Sequence, residues 1–301
     1  MILITEFMDE GCVEWLRART DVIYDSDLVE RPEELASKAK AADALIVRNR
    51  TRVTGDLLDA GFTCVGRLGV GLDNIDLKAC RARNVEVFPA TGANTLSVAE
   101  YVITTAAILL RGAYDRRAEM VAGEWPRRAA GEGREIAGKT LGLVGYGEIA
   151  RATAKLGAAL GMNCLACDPY AEEFPGAMEG TEREVLEESD VVTLHVPLTD
   201  ETRGMIDAKV LAAMRPGAIL INAARGGVVD EAALCEALRS GHLGGAALDT
   251  FAQEPLPADN PFADVPNLIL TPHVAGVTTE ANARVSESTA RRVAQHLGLK
   301  A

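Results

Sequence analysis

The sequence predicts an α/β protein built from two doubly wound parallel sheets. Two observations carry this. Short apolar runs alternate with helix-periodic stretches from one end of the chain to the other, and such alternation implies parallel strands joined by crossover helices. The alternation also occurs as two series, separated by a long helix and a Gly- and Arg-rich stretch, and 301 residues suffice for two ordinary domains.

In the first series the apolar runs ILIT (2–5), VIY (22–24), ALIV (44–47), CVGRL (64–68) and VEVF (85–88) read as strands. The patterns DEGCVEWLRAR, PEELASKAKAA and DLKACRARN lie between them as helices. A long helix is expected from about Thr95 to Leu110, capped by Asn94 or Thr95. MVAGEWPRRAAGEGRE has weak periodicity and reads as an extended connecting loop. The second series gives strands TLGLV (140–144), NCLAC (163–167), DVVTLH (190–195), AILIN (218–222), GAALD (245–249) and NLILT (267–271). The last pattern, TTEANARVSESTARRVAQHLG, is a helix with Val285, Val293 and Leu297 on its apolar side. No Pro/Gly/Ser linker separates the series, so the boundary is expected at a helix or a short crossing.

Composition narrows the function. Hydrophobic residues make up 48% and charged residues 25%, the balance of a globular protein. A formal net charge of −13 argues against nucleic acid and anionic membranes as partners, but not against a small anion in a local basic pocket. MILITEF lacks a basic leader, and YVITTAAILL is too short to span a bilayer, so a cytoplasmic location is expected. The six cysteines are scattered. Cys164 and Cys167 form a CxxC inside an apolar strand pattern with no second pair at zinc spacing, so they read as buried thiols and no metal is expected.

The strongest local signal is TLGLVGYGEIA followed by a helix and the strand NCLACDPY. Gly145 permits a tight turn, Gly147 lets backbone approach a pyrophosphate at the helix N-terminus, and Ala150 allows close helix–strand packing. Asp168, at the tip of the next strand, suits an adenosine ribose and repels a 2′-phosphate, so NAD is favoured over NADP. The unit is Rossmann-like. Ligands of open α/β sheets bind beyond the carboxyl ends of the strands. Those ends carry Gly145/Gly147, Asp168, His195, Asn222-Ala-Ala-Arg225-Gly-Gly, Asp249 and Thr271-Pro-His273. A lone loop histidine is most simply a structural residue; in this company His273 reads as functional.

The motifs GRLGVGLDNID (66–76), ANTLSVAEY (93–101), GYGEIA, DPY, HVPLTDET (195–202), NAARGGVVDE (222–231), ALDTFAQEP (247–255) and TPHVAG (271–276) resemble those of the D-isomer-specific 2-hydroxyacid dehydrogenases. The phosphoglycerate dehydrogenase branch is the nearest, and the similarity runs in order from about residue 44 to 280. It implies two Rossmann-like or flavodoxin-like domains with a cleft between them: a discontinuous substrate domain, 1–93 plus 280–301, and an NAD-binding domain, 94–279. It also implies a homodimer built partly from the helix after ANTLSVAEY and the arm containing Trp125. No C-terminal regulatory domain is expected after residue 301, and feedback control there is not expected either.

For catalysis the resemblance implies His273 as acid/base, Glu254 as the carboxylate that orients it, and Arg225 as the fork that grips the substrate carboxylate and polarises its carbonyl. Val70, Gly145, Gly147, Glu148, Ile149, Asp168, Val196, Ala223 and Asp249 occupy NAD-contacting places. Glu148 stands where relatives often carry Arg, which puts a side-chain contact to the pyrophosphate in doubt. His195 reads as a structural residue on the cofactor side. A glutamate at 254 disfavours formate dehydrogenase-like chemistry. An NADH-sensing corepressor-like binding protein is the reading from a different class, and turnover on a panel of 2-keto acids separates it from an enzyme.

The substrate's far end is read from the first series. Arg48 and Arg50 lie just past the strand ALIV, and Arg67 precedes Gly69-Val70. Guanidinium forks at neighbouring strand ends point to a second anionic group, with surface ion pairing as the simpler alternative. The expected substrate is a doubly anionic three-carbon acid, 3-phosphoglycerate first and sulfolactate next; a hydroxypyruvate or glyoxylate reductase is the alternative without a second anion.

Overall fold

A computed structural model describes residues 1–114 and 116–300. The chain forms two compact units, Met1–Asn94 with Val277–Ala301, and Thr95–Gly276. In the smaller unit the strands are β1 (Ile2–Ile4), β2 (Val22–Tyr24), β3 (Ala44–Val47), β4 (Cys64–Arg67) and β5 (Glu86–Pro89). They form one parallel sheet in the order β2-β1-β3-β4-β5. Both faces are covered. Leu3, Leu45 and Val65 join one core, and Ile4, Ile46 and Cys64 another that includes Val285 and Val293 of the helix Thr279–His296. Coverage on both sides is why β1 and β3 read as unbroken apolar runs rather than alternating ones. The helix comes so close to β4 that a Cβ on Gly66 would lie 2.6 Å from Thr289 Cγ2.

The larger unit carries β6 (Thr140–Val144), β7 (Asn163–Cys167), β8 (Met178–Glu179), β9 (Val191–Leu194), β10 (Ile219–Asn222), β11 (Gly245–Leu248) and β12 (Leu268–Leu270). Its sheet is again parallel, in the order β12-β11-β10-β9-β6-β7-β8. The order reverses beside β6: the chain runs to β7 and β8 on one side, then returns to β9 on the other. In the smaller sheet the same reversal falls between β1 and β3. Both are doubly wound, Rossmann-like sheets.

Three details depart from the sequence reading. The two-residue edge strand β8 carries no apolar run, because both of its residues are exposed. The stretch expected as an extended loop takes in the end of one short helix, Arg117–Val121, and contains another, Arg127–Ala130. Neither buries a residue, so no apolar stripe marked them in the sequence. Asn94 precedes the helix Thr95–Arg111, but its Oδ1 is buried without a hydrogen bond instead of capping it. No helix among the described residues is long and apolar enough to cross a membrane.

Candidate active site

In the larger unit, β6 delivers the chain into Gly145-Tyr146-Gly147 and the helix Glu148–Ala159. Gly145 has φ +87°, and a Cβ there would lie 2.6 Å from the His195 carbonyl oxygen beyond β9, so only glycine lets the turn close. Gly147 is the helix cap and offers no side chain, while the space beside its Cα is open. The first-turn N–H groups thus lack a side-chain cap and lie at the positive end of the helix dipole, the arrangement that holds a pyrophosphate. Glu148 is exposed, Ile149 and Val196 half-buried. Asp168 lies just past β7, and its Oδ2 accepts the Tyr146 N–H at 2.7 Å while Oδ1 accepts the Tyr170 N–H at 2.8 Å. Its carboxylate is therefore locked against the glycine turn. Cradle, open helix end and carboxylate together fit a dinucleotide.

His195 donates its backbone N–H to the Val144 carbonyl at 2.7 Å, and its Nε2 lies 3.2 Å from Thr193 Oγ1. Desolvation of the ring lowers its pKa to about 4, so the imidazole is neutral near neutrality. Cys164 and Cys167 are buried free thiols, and burial pushes Cys167 up to about 12.

Beyond β10, β11 and β12 the structure brings Arg225, Glu254 and His273 into one neighbourhood. His273 Nδ1 lies 2.8 Å from Glu254 Oε2, and Glu254 Oε1 accepts the Phe251 N–H at 3.0 Å. Burial is the largest influence on Glu254 and raises its pKa. The hydrogen bonds from His273 and Phe251, with the charges of His273 and Arg225, outweigh it and leave the pKa lowered. Arg225 and Ala223 sit half-buried in a loop that Asn222 ties off through Nδ2 to the Arg225 carbonyl at 2.9 Å. Gly226 brings this loop against the Phe251–Ala252 backbone: a Cβ at 226 would lie 1.7 Å from the Phe251 oxygen.

His273 has φ +55°, a left-handed conformation that costs energy in a non-glycine residue. Asp249, 1% exposed, holds it there. Its carbonyl accepts the His273 N–H at 2.8 Å. Its Oδ1 accepts Thr271 Oγ1 (2.6 Å) and the Val274 N–H (2.8 Å), and its Oδ2 the Ala275 N–H (2.8 Å). Both carboxylate oxygens, expected near NAD, are thus engaged by the histidine loop itself. Sequence reasoning missed this anchoring; the available signal was an acid closing a wholly apolar strand, GAALD.

In the smaller unit, the three arginines differ in setting. Arg48 is half-buried; its Nη2 donates to Asn282 Oδ1 at 2.8 Å, and its guanidinium lies 5.6 Å from the centre of the Phe7 ring. Arg50 is exposed, and its Nη2 pairs with Glu30 Oε1 at 2.8 Å, so the surface ion pairing weighed for these arginines is present here. Arg67 folds back over Gly69 and donates to the Leu68 carbonyl at 2.7 Å. A Cβ on Gly69 would lie 1.9 Å from Arg67 Nη1, so the glycine makes room for that guanidinium. Val70 is exposed. No cluster of metal-ligating side chains occurs among the described residues.

Residues 103–275 match the family pattern described as D-isomer specific 2-hydroxyacid dehydrogenase, NAD binding domain. The chain is 50% identical over 307 aligned positions to an (S)-sulfolactate dehydrogenase of Chromohalobacter salexigens, covering 100% of this chain and 99% of that protein. It is 38% identical to a D-3-phosphoglycerate dehydrogenase of Methanocaldococcus jannaschii, over 97% of this chain but 56% of that protein's length. Among solved structures, an NAD-dependent formate dehydrogenase of Staphylococcus aureus in complex with NAD superposes with a TM-score of 0.86 at 29% identity, covering 99% of this chain and 96% of that one. The chain belongs to the D-isomer-specific 2-hydroxyacid dehydrogenases, NAD-dependent oxidoreductases acting on the CH–OH group of a hydroxy acid.

Proposed function

We propose that the enzyme interconverts a three-carbon 2-hydroxy acid and its 2-keto acid, both bearing a second anionic group, with sulfolactate and sulfopyruvate as the leading pair. The observation that carries this is Arg48. It is a half-buried guanidinium at a strand end whose side-chain hydrogen bond goes to a neutral amide and whose stacking partner is a ring, so its charge remains available to an anion. The sequence alone ranked 3-phosphoglycerate ahead of sulfolactate. Half-identity to a sulfolactate dehydrogenase along both full lengths reverses that order. The stereochemistry agrees. Sulfur raises the CH2SO3 group above the carboxylate in priority, so an (S)-sulfolactate has the spatial arrangement of a D-2-hydroxy acid.

In this reading Thr95–Gly276 is the NAD-binding domain, and the smaller unit contributes to substrate recognition. Bound NAD(H) supplies or accepts the hydride. Arg225 grips the 2-carboxylate in a bidentate fork and polarises the carbonyl. His273 keeps Nδ1 on Glu254, which leaves Nε2 to give a proton to the substrate oxygen during reduction and to take it back during oxidation. Glu254, with its pKa lowered, stays ionised near neutrality and fixes the imidazole's orientation. Asp168 takes the adenosine ribose. Asp249 acts through the loop it anchors rather than through its carboxylate on the cofactor.

A panel of keto acids with NADH tests the proposal. Efficiency on sulfopyruvate should exceed that on phosphohydroxypyruvate, and both should exceed glyoxylate and pyruvate. Arg48→Ala should erase most of the preference, a loss of about 10–100-fold for a charge-assisted contact. If glyoxylate or pyruvate is the better substrate, the enzyme is a glyoxylate or hydroxypyruvate reductase and the second-anion reading is wrong.

We also propose a homodimer. Val121 and Trp125 are 80% and 75% exposed in the segment between the helix Thr95–Arg111 and β6, where large apolar side chains make sense as interface anchors. Sedimentation at micromolar concentration should give twice the chain mass, and Trp125→Glu should shift it toward the monomer. A wild-type monomer sinks the idea.

A further inference from the structure

We infer that Glu6 is the positioning residue of the second-anion subsite, holding the loop that carries Arg48; this rests on the substrate reading above. Glu6 lies two residues beyond β1, and Arg48 directly beyond β3. These are the two strands at which the smaller sheet reverses its order, the place where doubly wound sheets bind ligands. Here the chain's own carboxylate fills part of that place. Glu6 is 3% exposed. Its Oε1 accepts the N–H groups of Arg48 and Thr51, both at 2.9 Å, and its Oε2 accepts that of Arg50 at 3.1 Å. The loop's carbonyls are held from the other side, since Asn74 Nδ2 donates to Arg48 O (2.9 Å) and Thr51 O (2.6 Å). Thr5 and Thr51 hydroxyls close the arrangement at 2.8 Å.

The arrangement affects an incoming anion in two ways. The N–H groups of Arg48, Arg50 and Thr51 are turned onto Glu6, so an external anion cannot take these three as it would in a phosphate-binding loop, and its recognition falls to the Arg48 side chain. Burial disfavours the charged form of that guanidinium, while the neighbouring Glu6 charge favours it. Glu6 therefore acts on the anion with two opposite signs. By Coulomb's law alone its charge repels the anion, and removing it would tighten binding. As the anchor of the loop it fixes where Arg48 starts, and removing it would weaken binding.

Steady-state kinetics of wild type, Glu6→Gln and Arg48→Ala on sulfopyruvate and glyoxylate, at saturating NADH, separate these. Gln keeps the shape but places an NH2 group where an N–H must be accepted. Positioning predicts a KM for sulfopyruvate raised about tenfold, a smaller change in kcat, and a much smaller loss on glyoxylate. A lowered KM for sulfopyruvate, or equal losses on both substrates, overturns the inference. Should Glu6→Gln fail to fold, Asn74→Ala loosens the same loop from its carbonyl side and must show the same split. A wild type without preference for sulfopyruvate overturns both this inference and the substrate reading. A preference lost in Arg48→Ala but kept in Glu6→Gln and Asn74→Ala overturns the role of Glu6 alone.

Discussion

Replacing His273 with Ala should lower kcat for keto-acid reduction by about 10²–10⁴-fold, the usual worth of a positioned proton donor, while NADH still binds. In the proposed mechanism the imidazole acts in the transition state, and the glycine turn at Gly145–Gly147 proposed to hold the dinucleotide is built from other strand ends. A fluorescence titration of NADH should therefore be nearly unmoved, and single-turnover reduction should slow as much as kcat does. Glu254→Gln probes the same proton differently. Glutamine can still accept from the Phe251 N–H, but it removes the negative charge 2.8 Å from Nδ1. The carboxylate holds the ring through Nδ1, so kcat for keto-acid reduction should fall about tenfold in Glu254→Gln while NADH binding persists. The interaction also has a stability side. Because the folded-state pKa of Glu254 is lowered, the stabilisation is present at neutral pH and is lost as pH falls through that lowered pKa. A kcat for His273→Ala within tenfold of wild type would remove the histidine from the chemistry; an unchanged kcat in Glu254→Gln would remove the glutamate from its role.

Much of the fold, and the position of the candidate site residues within it, was legible in the sequence because parallel sheets write themselves plainly. A strand covered on both faces is an apolar run, and the residues just past its carboxyl end lie where ligands bind. Strands β1 to β7 and β9 to β12, and the residues past their ends, could therefore be placed from periodicity alone. The roles that stayed hidden share a cause. Glu6, Asp249 and Asn74 serve backbone groups of loops 25 to 42 residues away, and no local pattern marks a side chain by the distant main-chain group it will bond. Arg50 shows the converse. It sits two residues from Arg48 and looks equivalent, but one meets Glu30 at the surface and the other the neutral Asn282. The partner decides, and the partner is a tertiary fact.

The pair Gly226-Gly227 is another case in which sequence could not rank two neighbours. Gly227 has φ +78°, yet its added Cβ would meet nothing nearer than 3.7 Å, so Ala there costs only the left-handed strain, about 1–2 kcal/mol. Gly226 carries the steric constraint. A methyl group would sit 1.7 Å from the Phe251 oxygen and 2.0 Å from its carbonyl carbon, both main-chain atoms. That peptide has little freedom to retreat. Phe251 donates its N–H to Glu254, and the Ala252 N–H is fixed on Glu231 Oε1 at 2.7 Å. The strain must move the loop of Arg225, the loop of Glu254, or both, and in the proposed mechanism these carry the carboxylate grip and the support of the proton donor. A displacement of about 1 Å is enough to cost about 100-fold in rate. Gly226→Ala should therefore lower kcat/KM by about that factor while NADH binding persists, and Gly227→Ala should lower it far less. Loss in the reverse order, or a Gly226→Ala enzyme within about threefold of wild type, would show that the approach of the two loops does not set the catalytic geometry.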